Sequence, residues 1–460
     1  MNKETYYNNN YIKLFLILSF FSCWISISTT TLDVYKVFYI YKLNYFILGA
    51  DAEKIFPSLN EIINCFRQLI MFIIFPILLI INFFKFNFTN IKYDFPLFCF
   101  FIYFLTQFIG LILTENTYLN VGFIISALNI LLILNITNRL ANNNISKIFI
   151  ILTFCFLILI NILNKDVYIN FFLSTKASTL YTSFFASSEY FFGKASPRST
   201  GTSRSLLLIF IISLILFKNF FNKNKKTKYI FYILVSTLIL LFQSRTVIVL
   251  LIVFLIFYFF IEKNKNFFKY LIAYFVIPII FLYSSIYLKN NEWIKNQIAL
   301  GAMDHQYMSE IEASIFMIEK NIKRPIDPST FSSGRMNDWK NLIKKSKDSL
   351  YFGFGSQSDR YLINQTASNG LIYAFTSSGI VGVTFYLIFV FAILFKIFEV
   401  LILKFRLSSY EDKYCAIILL LILLRSILET SFSVFGVDFI ILCTFYNYIS
   451  KKNLNKNHGF

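Results

Sequence analysis

The fold is decided by one polar, glycine-marked stretch, which reads Arg335-Met336-Asn337-Asp338-Trp339, then Tyr351-Phe352-Gly353-Phe354-Gly355, then Ala367-Ser368-Asn369-Gly370, then Ser378-Gly379-Ile380-Val381-Gly382. Long apolar runs flank this stretch on both sides. Main chain without helical hydrogen bonds is not tolerated in lipid, so a polar segment between two apolar helices folds on one face of a membrane. We therefore expect this stretch to form the functional loop of a membrane protein.

The composition is that of an integral membrane protein. Of the 460 residues, 57% are hydrophobic and 15% are charged, and the mean hydropathy is +0.64. A soluble protein carries roughly a quarter charged residues. Apolar runs of about 17–25 residues recur, each long enough to cross a bilayer core of about 30 Å. Such runs must be helices, because lipid offers no hydrogen-bond partners to the main chain.

The sequence predicts an all-α, polytopic integral membrane protein with about 12 transmembrane helices. A long outer loop of short amphipathic helices separates the ninth from the tenth. The predicted spans are 12–29, 66–84, 95–114, 119–137, 147–164, 205–221, 229–243, 245–262, 270–288, 371–397, 414–430 and 434–449. Segment 34–50 is expected to lie outside the membrane, as an interfacial or re-entrant piece.

These spans divide the chain into five predicted regions: N-terminal transmembrane helices (1–164), a first large periplasmic loop (165–203), transmembrane helices (204–288), a large periplasmic catalytic loop (289–370) and C-terminal transmembrane helices with a cytoplasmic tail (371–460). The net charge is +19, but most cations lie in short loops on one side, as orientation signals do. Both termini are therefore predicted to be cytoplasmic, and nucleic acid is not an expected partner.

Two amphipathic helices are predicted inside the catalytic loop. Their apolar stripes are Ile311, Ile315, Ile318 and Ile322, and then Met336, Trp339, Leu342 and Ile343. The six cysteines are scattered and form no CxxC pair, and only two histidines occur. We therefore expect no metal site, no disulfide framework and no cofactor.

Five arginines stand at outer span ends or in outer loops, and two acids accompany the last of them. They are Arg198, Arg204, Arg245, Arg335 and Arg425, with Glu429 and Asp438. Arginine is permanently charged, planar and bidentate, which suits it to phosphate. The residues thus indicate an outward-facing anion site. The alternatives are that the arginines snorkel to the interface and that Arg425 with its acids is a structural salt bridge.

Several of these motifs resemble the O-antigen ligase/polymerase family of membrane glycosyltransferases, over about 195–449. They are Arg-Ser-Thr-Gly at 198–201, Ser-Arg-Thr at 244–246, Arg335 followed by Trp339, the turn at 348–355, and Asn369 followed by Gly379-Ile380-Val381-Gly382. Ligase members commonly carry a His before the Asn, where this chain has Ser368. That departure favours the polymerase branch.

The resemblance implies an inverting, metal-independent glycosyltransferase in the bacterial inner (plasma) membrane. It would polymerise oligosaccharide repeat units carried on undecaprenyl pyrophosphate into a surface polysaccharide at the periplasmic face. Implied partners are that lipid-linked glycan, membrane lipid, and a chain-length regulator or flippase of the same pathway. The expected catalytic residues are Arg335, Arg245, Glu429 and Asp359. The expected substrate-binding residues are Arg198, Arg204, Arg425, Trp339, Asn369 and Asp438.

Three alternatives stay open at this point. A ligase would transfer the glycan to lipid A core or to a protein. A flippase for lipid-linked glycans would need broken helices in paired positions and a repeated half, neither of which the sequence indicates. A non-catalytic scaffold for polysaccharide export is the third.

Overall fold

The computed structural model describes residues 3–27, 59–84, 94–114, 121–139, 143–163, 168, 199–242, 244–262, 272–289, 335–363 and 365–456, and these ranges are helical with short turns and contain no strand. The α-helices are α1 Lys3–Ser26, α2 Leu59–Phe84, α3 Phe95–Leu113, α4 Val121–Arg139, α5 Asn143–Leu163, α6 Ser199–Leu216, α7 Lys218–Lys223, α8 Lys225–Leu241, α9 Arg245–Glu262, α10 Ile277–Lys289, α11 Arg335–Lys345, α12 Ser358–Ile363, α13 Gly370–Phe398, α14 Tyr410–Ser426 and α15 Val437–Lys456. A π-helical turn precedes α10 at Ile272–Val276, and another follows α13 at Glu399–Leu403.

Every predicted span overlaps one of these helices. Four stretches are long and apolar enough by themselves to cross a membrane: Phe95–Leu113, Val121–Asn138, Asn144–Ile162 and Gly370–Leu403. The all-α membrane class is therefore confirmed, while the number of crossings and the loop arrangement stay predictions. The segment 34–50, the predicted helix at 311–322 and most of the loop 165–203 lie outside the described residues.

Two compact units make up the chain. The first comprises Met1–Leu152, Arg335–Arg406 and Ile422–Phe460, and the second comprises Thr153–Gly334 and Leu407–Leu421. In the first unit α3 lies along α13, and α4 packs against both α2 and α15. In the second unit α8 packs against α6 and α10. Stacked and edge-on aromatic rings fill both interiors, as between Phe100 and Phe389, whose centroids are 4.1 Å apart.

Helix α13 is two helical halves joined at a break. Gly379 lies at the break with φ 61° and ψ −164°, a combination that is essentially restricted to glycine. The sequence predicts one span over 371–397, so the break inside it is a difference from the prediction. A broken helix at membrane depth needs partners for the main-chain groups that the break releases.

The turn at 350–355 supplies those partners. The amides of Phe354 and Gly355 donate to the carbonyls of Thr376 and Ser377, each over 2.9 Å. In the other direction, the amides of Ile380 and Val381 donate to the carbonyls of residues 350 and 351 over 2.9 and 3.2 Å. The turn therefore completes both helix ends at the break and fastens the polar stretch to the membrane helix.

Glycine is required on both sides of this contact. A Cβ on Gly379 would lie 2.6 Å from the amide nitrogen of Phe352 and against the carbonyl group of Tyr351. A Cβ on Gly353, whose φ is +67°, would lie 2.5 Å from the Ser378 nitrogen. The outer side of the turn is equally tight, since a Cβ on Gly110 of α3 would lie 2.6 Å from the Phe352 oxygen. The glycine pattern of the sequence is thus explained by close main-chain packing.

Candidate functional site

Helix α11 is the second amphipathic helix that the sequence predicts, and it is attached to the start of α13. Leu342 is fully buried and packs with Ala367 and Tyr373 in a small core. The indole Nε1 of Trp339 donates to the Ala367 carbonyl over 2.7 Å. Trp339 therefore holds α11 against the non-helical segment that leads to Asn369.

Asp359 stabilises the same segment from the other side. Its Oδ2 accepts from the Ala367 amide over 2.8 Å, and its Oδ1 accepts from the Arg360 amide over 2.9 Å. The side chain is buried, and this burial raises the pKa of Asp359, although the two amides act in the opposite direction. Asp359 thus joins α12 to the chain before α13, and both of its oxygens face main-chain amides.

Asn369 links α13 to the segment between α14 and α15. As the N-cap of α13, its Oδ1 accepts from the amides of Leu371 and Ile372 over 2.9 and 3.0 Å. This is the ordinary role of Asn at a helix start. Its Nδ2 donates to the Ile427 carbonyl over 2.9 Å. Ser368, where ligases commonly carry His, has a positive φ of 50°.

Arg335 reaches the same segment from α11. Its Nη1 donates to the Leu428 carbonyl over 3.2 Å, and the guanidinium is partly exposed. Within the described ranges no other hydrogen bond of this guanidinium is found. Since a guanidinium has five N–H donors, Arg335 keeps most of its capacity for a ligand.

Arg425, Glu429 and Asp438 form one charged cluster at the end of α14 and the start of α15. The guanidinium of Arg425 donates through Nη2 to Glu429 Oε2 and through Nη1 to Asp438 Oδ2. The side chains of Arg425 and Asp438 are 6% and 1% exposed, whereas that of Glu429 is 22% exposed. Glu429 is therefore the member of the cluster that solvent can reach.

Ser431 completes the cluster and is a residue that the sequence analysis missed. Its hydroxyl donates to Asp438 Oδ2 over 2.8 Å, and its φ of 43° is unusual for a residue with a side chain. No sequence signal distinguishes this serine from its neighbours, because its role depends on a turn conformation and on a carboxylate of the next helix.

The structure brings together seven of the ten predicted site residues in the first unit: Arg335, Trp339, Asp359, Asn369, Arg425, Glu429 and Asp438. Arg204 lies in the N-terminal part of α6 and Arg245 is the first residue of α9, both in the second unit. Arg198 lies outside the described residues. In the part of the chain that the structure describes, no group of three or more His, Cys, Asp or Glu side chains could hold a metal ion.

Comparison with known proteins agrees with the motifs. Residues 230–387 match the model of a protein family described as O-antigen ligase. This segment is therefore similar to that family. The predicted resemblance to the O-antigen ligase/polymerase family is confirmed over this part of the chain, which is shorter than the predicted 195–449. No curated protein and no solved structure matches the chain.

The family segment includes α11, the turn at 350–355, Asn369 and the break in α13. The cluster of Arg425, Glu429 and Asp438 lies beyond its end. Members of that family are glycosyltransferase-like enzymes of polysaccharide or lipopolysaccharide assembly, and the match supports a function of that type for this chain.

Proposed function

We propose that this protein polymerises oligosaccharide repeat units carried on undecaprenyl pyrophosphate, at the periplasmic face of the bacterial inner membrane. The single observation that supports the proposal most directly is the arrangement around residues 427–429. A partly exposed arginine, Arg335, lies on the carbonyl of Leu428, immediately before the accessible carboxylate of Glu429. The guanidinium of Arg335 is thus bound to the residue that precedes the carboxylate of Glu429.

The proposed reaction uses each of them once. A hydroxyl of the acceptor sugar attacks the anomeric carbon of the donor glycan, and the bond from that carbon to the pyrophosphate oxygen breaks with inversion. The leaving lipid pyrophosphate retains the electron pair, and Arg335 stabilises its charge. Glu429 receives the hydroxyl proton as general base. The product is a glycan longer by one repeat unit on the acceptor's lipid.

The remaining predicted residues take supporting roles in this proposal. Arg425 orients Glu429, because it binds the Glu429 carboxylate from the buried side, and Asp438 holds the other terminal nitrogen of Arg425. Trp339 and Asn369 position α11 and the segment at 427–429 through main-chain carbonyls. Asp359 is assigned to the support of the loop and not to catalysis, since both of its oxygens accept main-chain amides. Pyrophosphate binding by Arg198, Arg204 and Arg245 stays a prediction from the sequence.

A deletion strain tests the reaction. Loss of a polymerase leaves single repeat units on the carrier and on the final acceptor, giving a one-unit band on a gel. The purified full-length protein should convert the lipid-linked repeat unit extracted from that strain into a ladder of longer products without added metal. An inactive purified protein together with long carrier-bound polymer in the deletion strain would contradict the proposal.

A ligase is the second candidate, because the matching family is described by that name. The same deletion distinguishes it, since loss of a ligase leaves long polymer on the carrier and none on the final acceptor. The polymerase is preferred because Ser368 stands where ligases commonly carry His. An active His305→Ala variant would exclude that a distant histidine replaces it.

The proposed orientation has its own test. Cysteine introduced as Ser332→Cys should react with a membrane-impermeant thiol reagent in intact cells, against a background without accessible cysteines. The matched variant Lys226→Cys, in a predicted cytoplasmic loop, should react only after the cells are opened. The reverse labelling pattern would place the catalytic loop in the cytoplasm.

A further inference from the structure

The segment at 427–436, which carries Glu429, is fixed by side chains from three separate elements. Asn369 and Arg335 donate to the carbonyls of residues 427 and 428, as described above. The third donor comes from the membrane interior. The hydroxyl of Tyr103, in α3, donates to the Ser433 carbonyl over 2.9 Å.

Ser433 is the centre of a buried polar network. Its hydroxyl donates to the Gly370 carbonyl over 2.9 Å and lies 3.0 Å from the Tyr386 hydroxyl. The ring of Tyr386 stacks on Phe432, with centroids 5.5 Å apart and planes 14° from parallel. Gly370 permits this approach, because a Cβ there would lie 2.7 Å from the Ser433 hydroxyl. The short 3₁₀ turn Ser431–Ser433 is thus held by Tyr103 of α3 and by Gly370 and Tyr386 of α13.

That turn leads directly to the charged cluster. Ser431 is held at positive φ and donates to Asp438, which in turn shares the guanidinium of Arg425 with Glu429. A residue at positive φ is retained only where its surroundings determine its conformation. The hydrogen bonds of Tyr103 and Tyr386 to Ser433, two residues after Ser431, help to determine the conformation of Ser431.

We infer that Tyr103, and Tyr386 acting through Ser433, are positioning residues that set the place of Glu429. Neither touches the charged cluster, so neither is a catalytic residue. The effect on the reaction rests on the proposed role of Glu429, whereas the effect on the position of the 427–436 segment is independent of that role. Removing the Tyr103 hydroxyl takes away the side-chain donor to the buried Ser433 carbonyl, and removing the Tyr386 hydroxyl leaves the Ser433 hydroxyl with the Gly370 carbonyl as its remaining partner; either change loosens the segment.

The test compares Tyr103→Phe with Tyr446→Phe in the purified full-length protein. Tyr446 serves as the control, because its hydroxyl also makes a hydrogen bond, a partly buried one to Asp94 over 3.1 Å, and this bond does not involve the 427–436 segment. The first measurement is amide hydrogen exchange. Exchange in peptides covering 427–436 should rise about five-fold in Tyr103→Phe, the effect of one lost hydrogen bond, and should be unchanged in Tyr446→Phe.

The second measurement is polymerisation of the lipid-linked repeat unit. Tyr103→Phe should lower kcat by about ten-fold, the scale expected for a misplaced catalytic group, with the KM for the donor unchanged. Tyr386→Phe should lower kcat in the same way, and Tyr446→Phe should leave it within about two-fold. A general effect of losing a tyrosine hydroxyl would lower kcat in Tyr446→Phe as much as in Tyr103→Phe and Tyr386→Phe.

The outcomes separate the two ideas. Unchanged exchange at 427–436 in Tyr103→Phe overturns the inference, whatever the activity of the wild type. Raised exchange with unchanged kcat also overturns it, because the segment then moves without consequence for the reaction. A wild-type protein without transferase activity contradicts the proposed function, and the exchange measurement still decides whether Tyr103 fixes the segment.

Discussion

Replacing Gly379 by alanine tests whether the break in α13 and the turn at 350–355 are one structural unit. The new Cβ would lie 2.6 Å from the Phe352 nitrogen, and the φ of 61° with ψ of −164° is strained for any residue with a Cβ. The turn must move away from the helix. Four main-chain hydrogen bonds across the break are then weakened or lost.

The expected cost is large. Each hydrogen bond contributes about 1 kcal/mol, and the strained conformation adds about 1–3 kcal/mol, so the free energy of unfolding should fall by on the order of 5 kcal/mol. That is comparable with the whole stability of many domains. At about 2 °C for each kcal/mol, the apparent Tm should fall by about 10 °C.

The assay is thermal unfolding of detergent-solubilised protein followed by size-exclusion chromatography. Gly122→Ala is the control, because among the described residues no atom outside its own helix main chain lies within 4 Å of a Cβ at that position. Its Tm should be unchanged or slightly higher, since alanine favours a helix by up to about 1 kcal/mol over glycine. Equal Tm values for Gly379→Ala and the wild type would refute the explanation of the break.

Three further predictions concern charged residues. Arg425→Met should lower the free energy of unfolding by about 3–5 kcal/mol and reduce the yield of folded protein, because the buried carboxylate of Asp438 would lose its ion-pair partner. Asp438→Asn in the same chain should restore part of the yield, and a wild-type Tm in the Arg425→Met variant would contradict this. Arg335→Lys should be made in normal amount but polymerise at least about ten-fold more slowly, because a point charge does not reproduce a two-pronged contact with phosphate; full activity would show that charge alone suffices. Burial raises the pKa of Asp94 from 3.8 to about 6, so the native form holds a proton that the unfolded chain releases, and stability should fall as the pH rises between about 4 and 6. Asp94→Asn keeps an acceptor for Tyr446, so Tm measured against pH should lose this slope and rise at pH 7.

The sequence predicted those features that depend on one stretch of chain at a time. Apolar runs of membrane length predicted the helices, because a helix in lipid satisfies its own main chain. The apolar stripe and the Arg335-to-Trp339 spacing predicted α11. Asn369 was predicted as a site residue, although its observed contacts are a helix cap and a bond to Ile427.

Features that depend on two distant stretches were missed. Gly379 lies in an apolar run, and nothing local shows that its main chain is completed by a turn that precedes it in sequence. Tyr103 lies inside a predicted span, 330 residues from Ser433, and reads as one more aromatic in an aromatic-rich helix. The role of the Tyr103 hydroxyl is therefore evident only once its partner, the Ser433 carbonyl, is known.

The charges around Arg425 and Arg335 differ, although the sequence analysis assigns both arginines to one anion site. Both terminal nitrogens of Arg425 are held by Glu429 and Asp438, so the ionised cluster carries one negative charge more than it carries positive. A pyrophosphate would be repelled by it, whereas an acceptor hydroxyl would be attracted to its exposed end at Glu429. Arg335 has no carboxylate partner among the described residues and is therefore the cation that the proposed reaction assigns to the donor. Because Arg335 is bonded to the carbonyl of Leu428, the donor and acceptor positions of the proposed reaction would move together when this segment moves. Substitutions at Arg335 and Glu429 should therefore be non-additive, since each disturbs the placement of the other.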